Sequence, residues 1–415
     1  MPETRTTPET TPEEQGRTRI RESAPLWWVW LAAWPVTAVF VLSNAATPLY
    51  VLWQHDIGFS SGVLTVVFAF YIVGLTGSLL VCGVVSDRLG RKPVLLPALA
   101  LALAACLVFA TATSVPALII ARLFTGIAVG AAVSAGMAAV SDVAGPERRR
   151  AAALLASCAM VLGAGLGPLL SGVLSETAPA RTVTVFAVEA VLLGTAVLTV
   201  LRMPLRRPGT ADKGAWIRVP GVPRGNGRHL ALGIAVFAPG ITATSFVLSL
   251  GPSLLSGLLG TTSRTVAGAT AFVMFLAAAG AQFAVQRLRR RTILTAGAAA
   301  TSLSMFALVT AVHTQSAPAL IISALLAGTG QGVGQLGGLS LLNTVVPPRR
   351  LAEANAALNI GGYLPAGLLP VLTGYLSDTT GLTRATTLFG STLAALAVAG
   401  AVVVRTSRPH LTDPT

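Results

Sequence analysis

Charge inside an apolar stretch is what could do chemistry here, and the sequence offers little of it. Arg122 stands within an apolar run at 116–140 and Glu189 within another at 183–202. An arginine inside a membrane span costs about 2.5–3.5 kcal/mol on insertion scales, so it must face a cavity or a partner. Glu189 is the single acid well inside such a run. A buried carboxyl that is protonated on one side of a membrane and released on the other is what coupling to a proton gradient requires. Both residues stand about six or seven positions into their runs from the same side, roughly 10 Å deep at 1.5 Å per residue. Two readings follow: an Arg122–Glu189 ion pair, which we prefer, and a solitary proton carrier at Glu189. Asp56, beside His55 after the first run, is a further titratable candidate, though a solvated helix end is the commoner role for such a residue.

Neutral polar side chains in the runs could line a cavity: Asn44, Tyr50, Tyr71, Gln282, Gln331, Gln335, Asn355 and Asn359. Each alone is more often a hydrogen bond between helices than a substrate contact. Gln331 and Gln335 are i, i+4 neighbours on one helix face and rank first. No clustered nucleophile, base or metal set lies within the runs, since His229, His313 and His410 sit at ends or in tails. No catalytic residue, metal site or cofactor is therefore expected. A phosphate-binding Gly-x-x-x-x-Gly-Lys-Ser/Thr loop is also absent, which argues against a nucleotide-driven pump.

The elements that must hold these residues follow from composition. Of 415 residues, 53% are hydrophobic and 11% charged, with mean hydropathy +0.74; soluble chains carry roughly 25% charged residues. A soluble enzyme is thereby excluded. Apolar runs near 26–50, 62–83, 94–113, 116–140, 152–174, 183–202, 230–254, 266–286, 293–312, 317–342, 354–376 and 384–404 are each long enough to cross about 30 Å of hydrocarbon. Cys82, Cys106 and Cys158 all fall inside runs and read as buried small residues, not disulfides. The net charge of +14 is carried by short basic clusters between runs, not one soluble face, so nucleic acid is not an expected partner. With the N-terminus inside, 25 of the 29 basic residues fall in cytoplasmic segments, against Arg181, Arg264 and Arg384 outside. The positive-inside rule then puts both termini in the cytoplasm. Residues 1–24 are polar, without the apolar core of a secretory signal, and read as a disordered tail.

Residues 203–229, rich in Arg, Pro and Gly, read as a linker between six-span halves at 25–202 and 230–404, with a C-terminal tail at 405–415. A shift of 202 residues places Ala117-Leu118-Ile119-Ile120 on Ala319-Leu320-Ile321-Ile322. The same shift pairs Gly126 with Gly328, Gly130 with Gly332, Pro168 with Pro370, Gly172 with Gly374, Ser175 with Ser377 and Glu176 with Asp378. Duplicated halves are expected of a transporter that rocks about a site at their interface.

Three motifs carry a resemblance. The loop after the second run, Gly83-Val84-Val85-Ser86-Asp87-Arg88-Leu89-Gly90-Arg91-Lys92-Pro93, resembles the signature between helices 2 and 3 of the major facilitator superfamily. Gly83 permits close helix approach, Gly90 a turn, and Asp87 a cap and an arginine partner. The second-half counterpart, Gln286 to Arg291, has lost the acid and both glycines. Arg122 with Gly126 and Gly130 is similar to the family's helix 4 motif. Gly163-Ala164-Gly165-Leu166-Gly167-Pro168-Leu169-Leu170-Ser171-Gly172 resembles the helix 5 signature of drug–proton antiporters, with Ser171 in place of a glycine.

The resemblance implies an all-α membrane protein of the major facilitator fold, with 12 transmembrane helices in two pseudo-symmetric six-helix bundles. It implies a cytoplasmic latch at Gly83, Asp87, Arg88, Gly90, Arg91 and Lys92, an antiporter motif at Gly163, Gly167, Pro168 and Gly172, and a proton-transfer or acid-orienting role for Arg122. Helix 6, which bears Glu189, is usually peripheral in that fold. The expected function is proton-coupled export of a small drug-like or amphipathic compound by alternating access. The alternative is proton-coupled movement of a sugar or other metabolite in the same fold. Its partners would be that substrate, protons and the lipid bilayer, with no obligate protein partner. High Ala, Gly and Arg with only Lys92 and Lys213 suggest the plasma (inner) membrane of a GC-rich bacterium.

Overall fold

The computed structural model describes residues 25–205, 220–257, 260, 263–347 and 350–407. The expected N-terminal tail, most of the linker and the C-terminal tail from 408 lie outside the described residues. Among those described are twelve helices long and apolar enough to cross a membrane. They are α1 (Leu26–Ile57), α2 (Ser61–Leu89), α3 (Lys92–Ala110), α4 (Val115–Ala144), α5 (Arg149–Thr177), α6 (Arg181–Arg202), α7 (Gly227–Gly257), α8 (Arg264–Val285), α9 (Arg290–Thr314), α10 (Ala317–Val345), α11 (Leu351–Thr380) and α12 (Leu382–Thr406). Several overrun the apolar runs. The 29 residues of α2 span roughly 43 Å at 1.5 Å each, beyond the ~30 Å of hydrocarbon. Hydropathy marks where charges begin, whereas backbone hydrogen bonding carries the helix on into the interface.

Two helices are irregular where function is sought. α1 passes through a tighter turn at Thr47–Leu49 before resuming at Tyr50. α4 contains an i→i+5 turn over Ala132–Gly136; such turns are frequent at functional sites.

The twelve helices form two six-helix bundles, and the repeat is legible in their packing. Gly126 and Gly130 of α4 lie against the carbonyls of Tyr71 and Leu75 in α2. At the corresponding places Gly328 and Gly332 of α10 lie against those of Met274 and Ala278 in α8. A side chain at any of these four would collide with backbone, and small residues at such crossings let membrane helices approach closely. Large apolar side chains such as Leu107, Val191, Phe306 and Leu364 remain exposed on the outer surface. That is the arrangement of a protein solvated by lipid. Trp27 and Trp30 are exposed near the start of α1, where amphipathic rings anchor at a membrane interface. Cys82 and Cys158 are half-buried, Cys106 is buried, and all three are free.

The bundles meet along α2–α11 and α5–α8. We call the end bearing Arg88–Lys92, Arg202 and Arg289–Arg291 the basic end, and the other the far end.

Candidate functional site

Arg122 enters α4 two turns from the far end and is completely buried. Its Nε–H donates to the Tyr50 hydroxyl, and Nη1–H donates to the Ser43 carbonyl at 2.7 Å. Both acceptors are presented by α1, Tyr50 from the turn after the break. The guanidinium carbon stands 5.1 Å, 5.3 Å and 5.7 Å from the ring centres of Tyr50, Phe68 and Tyr71, within the range of attraction between cations and aromatic faces. Nη2 has no hydrogen-bond partner.

The expected ion pair with Glu189 is not formed. Glu189 sits in α6, buried, with Oε2 unpartnered. α6 packs on α1, α3 and α5 and α4 on α1, α2, α3 and α5, with no substantial contact between α4 and α6 themselves. Equal depth in two helices does not make two residues neighbours when the helices pack on shared partners and not on each other. Beside Glu189's helix, Trp53, Phe109 and Phe186 of α1, α3 and α6 stack with centroids 4.8–6.2 Å apart. Asp56 is exposed, with its carboxylate 3.1 Å from His55 Nδ1, at the solvated end of α1 and apart from Arg122.

The neutral candidates divide. Asn44 is buried and donates to Ser43 Oγ at 3.1 Å and to the Ala164 carbonyl of α5 at 3.4 Å, so it joins helices. Tyr71 is half-buried, with its ring centre 5.7 Å from the Arg122 guanidinium carbon, and its chain neighbour Ile72 packs against Gly367 of α11, one turn from Tyr363. It therefore stands between the arginine and the boundary of the two bundles. Gln282, Gln335 and Asn359 are half-buried. Gln331 Oε1 and Asn355 Oδ1 are buried without a partner, and the backbone of Gln331 is packed against Gly240 of α7. Tyr363 was not among the residues expected from sequence, because nothing in its own segment distinguishes it.

At the basic end the α2–α3 loop forms a compact knot. Gly90 adopts φ +99°, open to glycine and strained for other residues. Arg91 donates to Asp87 at 2.6 Å, Ser86 Oγ at 2.9 Å and Asp142 of α4 at 2.8 Å. Burial works against its charge, yet the hydrogen bonds and charges of Asp87 and Asp142 outweigh this and raise its pKa above the ordinary arginine value. Lys92 Nζ donates to the Leu201 carbonyl at the end of α6. Asp142 is the member that sequence spacing missed, since it lies 51 residues away in chain.

The helix 5 signature lies between bundles. Gly163 and Gly167 face the backbone of α1 at Thr37 and Val41, while Gly172 and the Pro168 carbonyl face α8 at Arg264 and Gly268. Just beyond, Glu176 accepts from the Arg264 and Thr265 backbone N–H groups and the Thr265 hydroxyl at the start of α8. Its repeat mate Asp378, at the end of α11, accepts from the backbone N–H groups of Ser61 and Gly62 at the start of α2, both at 3.0 Å. Gly172 packs on the Arg264 carbonyl and Gly374 on that of Ser61. Each carboxylate thus caps a helix start in the opposite bundle, where the helix dipole favours negative charge. Two repeat-related clamps join the bundles at the far end.

Among known proteins, a sequence model for the Major Facilitator Superfamily matches residues 29–288 and 230–415. A 3-(3-hydroxy-phenyl)propionate transporter of Escherichia coli (strain K12) is 39% identical over 104 residues, covering 25% of this chain and 26% of that one. Multidrug resistance protein MdtL of Klebsiella pneumoniae is 33% identical over 100 residues, 24% of this chain and 25% of that one. The match therefore spans about a quarter of these relatives' length. The crystal structure of a bacterial homolog to the human lysosomal transporter Spinster, inward-facing and unoccupied, superimposes with TM-score 0.72 at 14% identity, covering 94% of this chain and 98% of that one.

Proposed function

Because the chain belongs to the Major Facilitator Superfamily, and is thus a multi-pass membrane transporter and not an enzyme, we propose that it exports a small drug-like or amphipathic compound in exchange for protons. The observation carrying this reading is the placement of Gly163, Gly167, Pro168 and Gly172 at the joint between bundles. One face of α5 is seated on its own bundle and the other on α8, so a bend there is transmitted to the opposite half. The matched segment of the multidrug resistance relative favours the same substrate class.

In this reading the basic end is cytoplasmic, both termini lie inside the bacterial plasma membrane, and the clamps of Glu176 and Asp378 close the outer side. Alternating access then consists of releasing these clamps while the halves rock. The knot of Arg91, Asp87 and Asp142 holds the α2–α3 loop in the shape that latches the cytoplasmic side when the outer side opens. Glu189, the buried acid of the spans, is the first candidate for the coupling proton, with Arg122 acting separately from it. Asp56, in solvent, is a weaker one. Proton entry driven by the membrane potential supplies about 2.3 kcal/mol per charge per 100 mV, enough for roughly fifty-fold accumulation.

A second reading, uptake or efflux of a small metabolite with the same coupling, is favoured by the matched segment of the hydroxyphenylpropionate transporter. The test is substrate-induced proton movement in proteoliposomes, screened across lipophilic antibiotics, dyes, sugars and aromatic acids. Proton release from the lumen on adding lipophilic compounds supports export by exchange. Proton movement caused by a metabolite alone, outward for exchange or inward for uptake with the proton, moves the assignment to the second reading.

A further inference from the structure

We infer that Arg122 is an anion-binding point of the transport pathway, taking the carboxylate of a flat aromatic acid that reaches it from between the bundles past Tyr71. This rests on the pathway running between the two halves, as proposed above, but not on the direction of transport or on proton coupling.

The argument begins with charge. Arg122 is fully buried, and its two bonded acceptors, the Tyr50 hydroxyl and the Ser43 carbonyl, are both neutral. Glu189, the acid that sequence depth offered as its counter-ion, leaves Oε2 unpartnered, and its helix α6 does not pack substantially on α4. Among the described residues no carboxylate stands within ion-pair distance of the guanidinium. A buried cation without a counter-ion is an expensive feature, tolerated when it serves a site. Aromatic faces soften the cost but cannot accept a directed hydrogen bond as an anion does. Nη2, left without an acceptor, is where one carboxylate oxygen would bind.

The surroundings select the rest of the ligand. Of the three rings about the guanidinium, Tyr50 and Phe68 are buried and Tyr71 keeps exposed surface. Approach is therefore past Tyr71, beside which Ile72 packs on Gly367 of α11, one turn from Tyr363, across the boundary between bundles. A ligand whose anionic end meets Arg122 would lay its body against Phe68, Tyr71 and Tyr363. A planar apolar body gains from offset or edge-on stacking there. The repeat places Ala324 where Arg122 stands in the first half, so the charge is a single point in one bundle and orients the ligand.

The experiment is calorimetric titration of the purified full-length chain in detergent with naphthalene-2-acetate and its isosteric neutral amide, naphthalene-2-acetamide, at pH 7.5. Wild type is expected to bind the carboxylate at least tenfold more tightly than the amide. In Arg122→Gln the two should bind equally, and Arg122→Lys should restore part of the preference. Equal binding of acid and amide by wild type overturns the inference, as does a preference for the acid that survives Arg122→Gln, or no binding of the carboxylate up to millimolar concentration. Should Arg122→Gln not survive purification, the wild-type pair and Arg122→Lys still decide. Failure of proton exchange in liposomes would sink the exporter reading while leaving this preference standing, so the two fail separately.

Discussion

Removing charge from the two far-end clamps should open that end. Glu176→Gln and Asp378→Asn keep size and one carbonyl acceptor but lose the negative charge and a second acceptor. Glu176 receives three hydrogen bonds from the start of α8 and Asp378 two from the start of α2. A hydrogen bond to a charged group contributes about 1.5–3 kcal/mol net, and a carboxylate at a helix start about 0.3–1 kcal/mol. Both acids are partly solvated and each variant retains an acceptor, so about 1 kcal/mol per clamp is a fair discount. The clamps lie on different helix pairs and should add. Together they would shift the ratio of closed to open molecules by about thirty-fold, since 1.4 kcal/mol is tenfold. Spin labels at Ala178→Cys and Thr379→Cys, in a chain with Cys82, Cys106 and Cys158 replaced by alanine, report that distance by pulsed electron resonance. The double variant should populate a longer distance, with each single variant between it and the parent. An unchanged distance distribution in the double variant would refute the view that these carboxylates hold the bundles together.

The other predictions concern packing, coupling and the basic-end knot. Gly167→Val drives a side chain into the Val41 carbonyl and should cost about 1–3 kcal/mol or abolish folding; Gly77→Ala, which meets nothing within 4 Å, should leave the melting temperature in detergent unchanged. Glu189→Gln should abolish proton movement in liposomes while ligand binding in detergent persists, and normal proton-driven flux in that variant would exclude Glu189 as the carrier. Asp142→Asn removes one of two carboxylates from Arg91 and should lower stability by about 1 kcal/mol, read as a fall in melting temperature; if Arg91→Lys leaves that temperature unchanged, the forked geometry is not what matters.

The sequence by itself determined the solvent, the number of crossings and the duplication. Twelve apolar runs admit no other backbone-satisfying solution in lipid than helices, and residues such as Pro168 and Pro370, or Glu176 and Asp378, holding one offset, mark the repeat. The α2–α3 loop and the helix 5 signature were legible because their residues are contiguous. Tertiary structure decided who meets whom. The depth of Arg122 and Glu189 could be read from the chain, but their separation could not, because the azimuth of each helix and the choice of its neighbours are set by packing. The same holds for Asp142, which reaches Arg91 from another helix, and for Gly367 of α11, which meets Ile72 from the opposite bundle. Even the pair Glu176 and Asp378, visible as repeat mates, gained a role only when each was found capping a helix of the other half. A linear pattern fixes depth along a helix through its 1.5 Å rise; which face is turned toward which neighbour is a property of the assembled bundle.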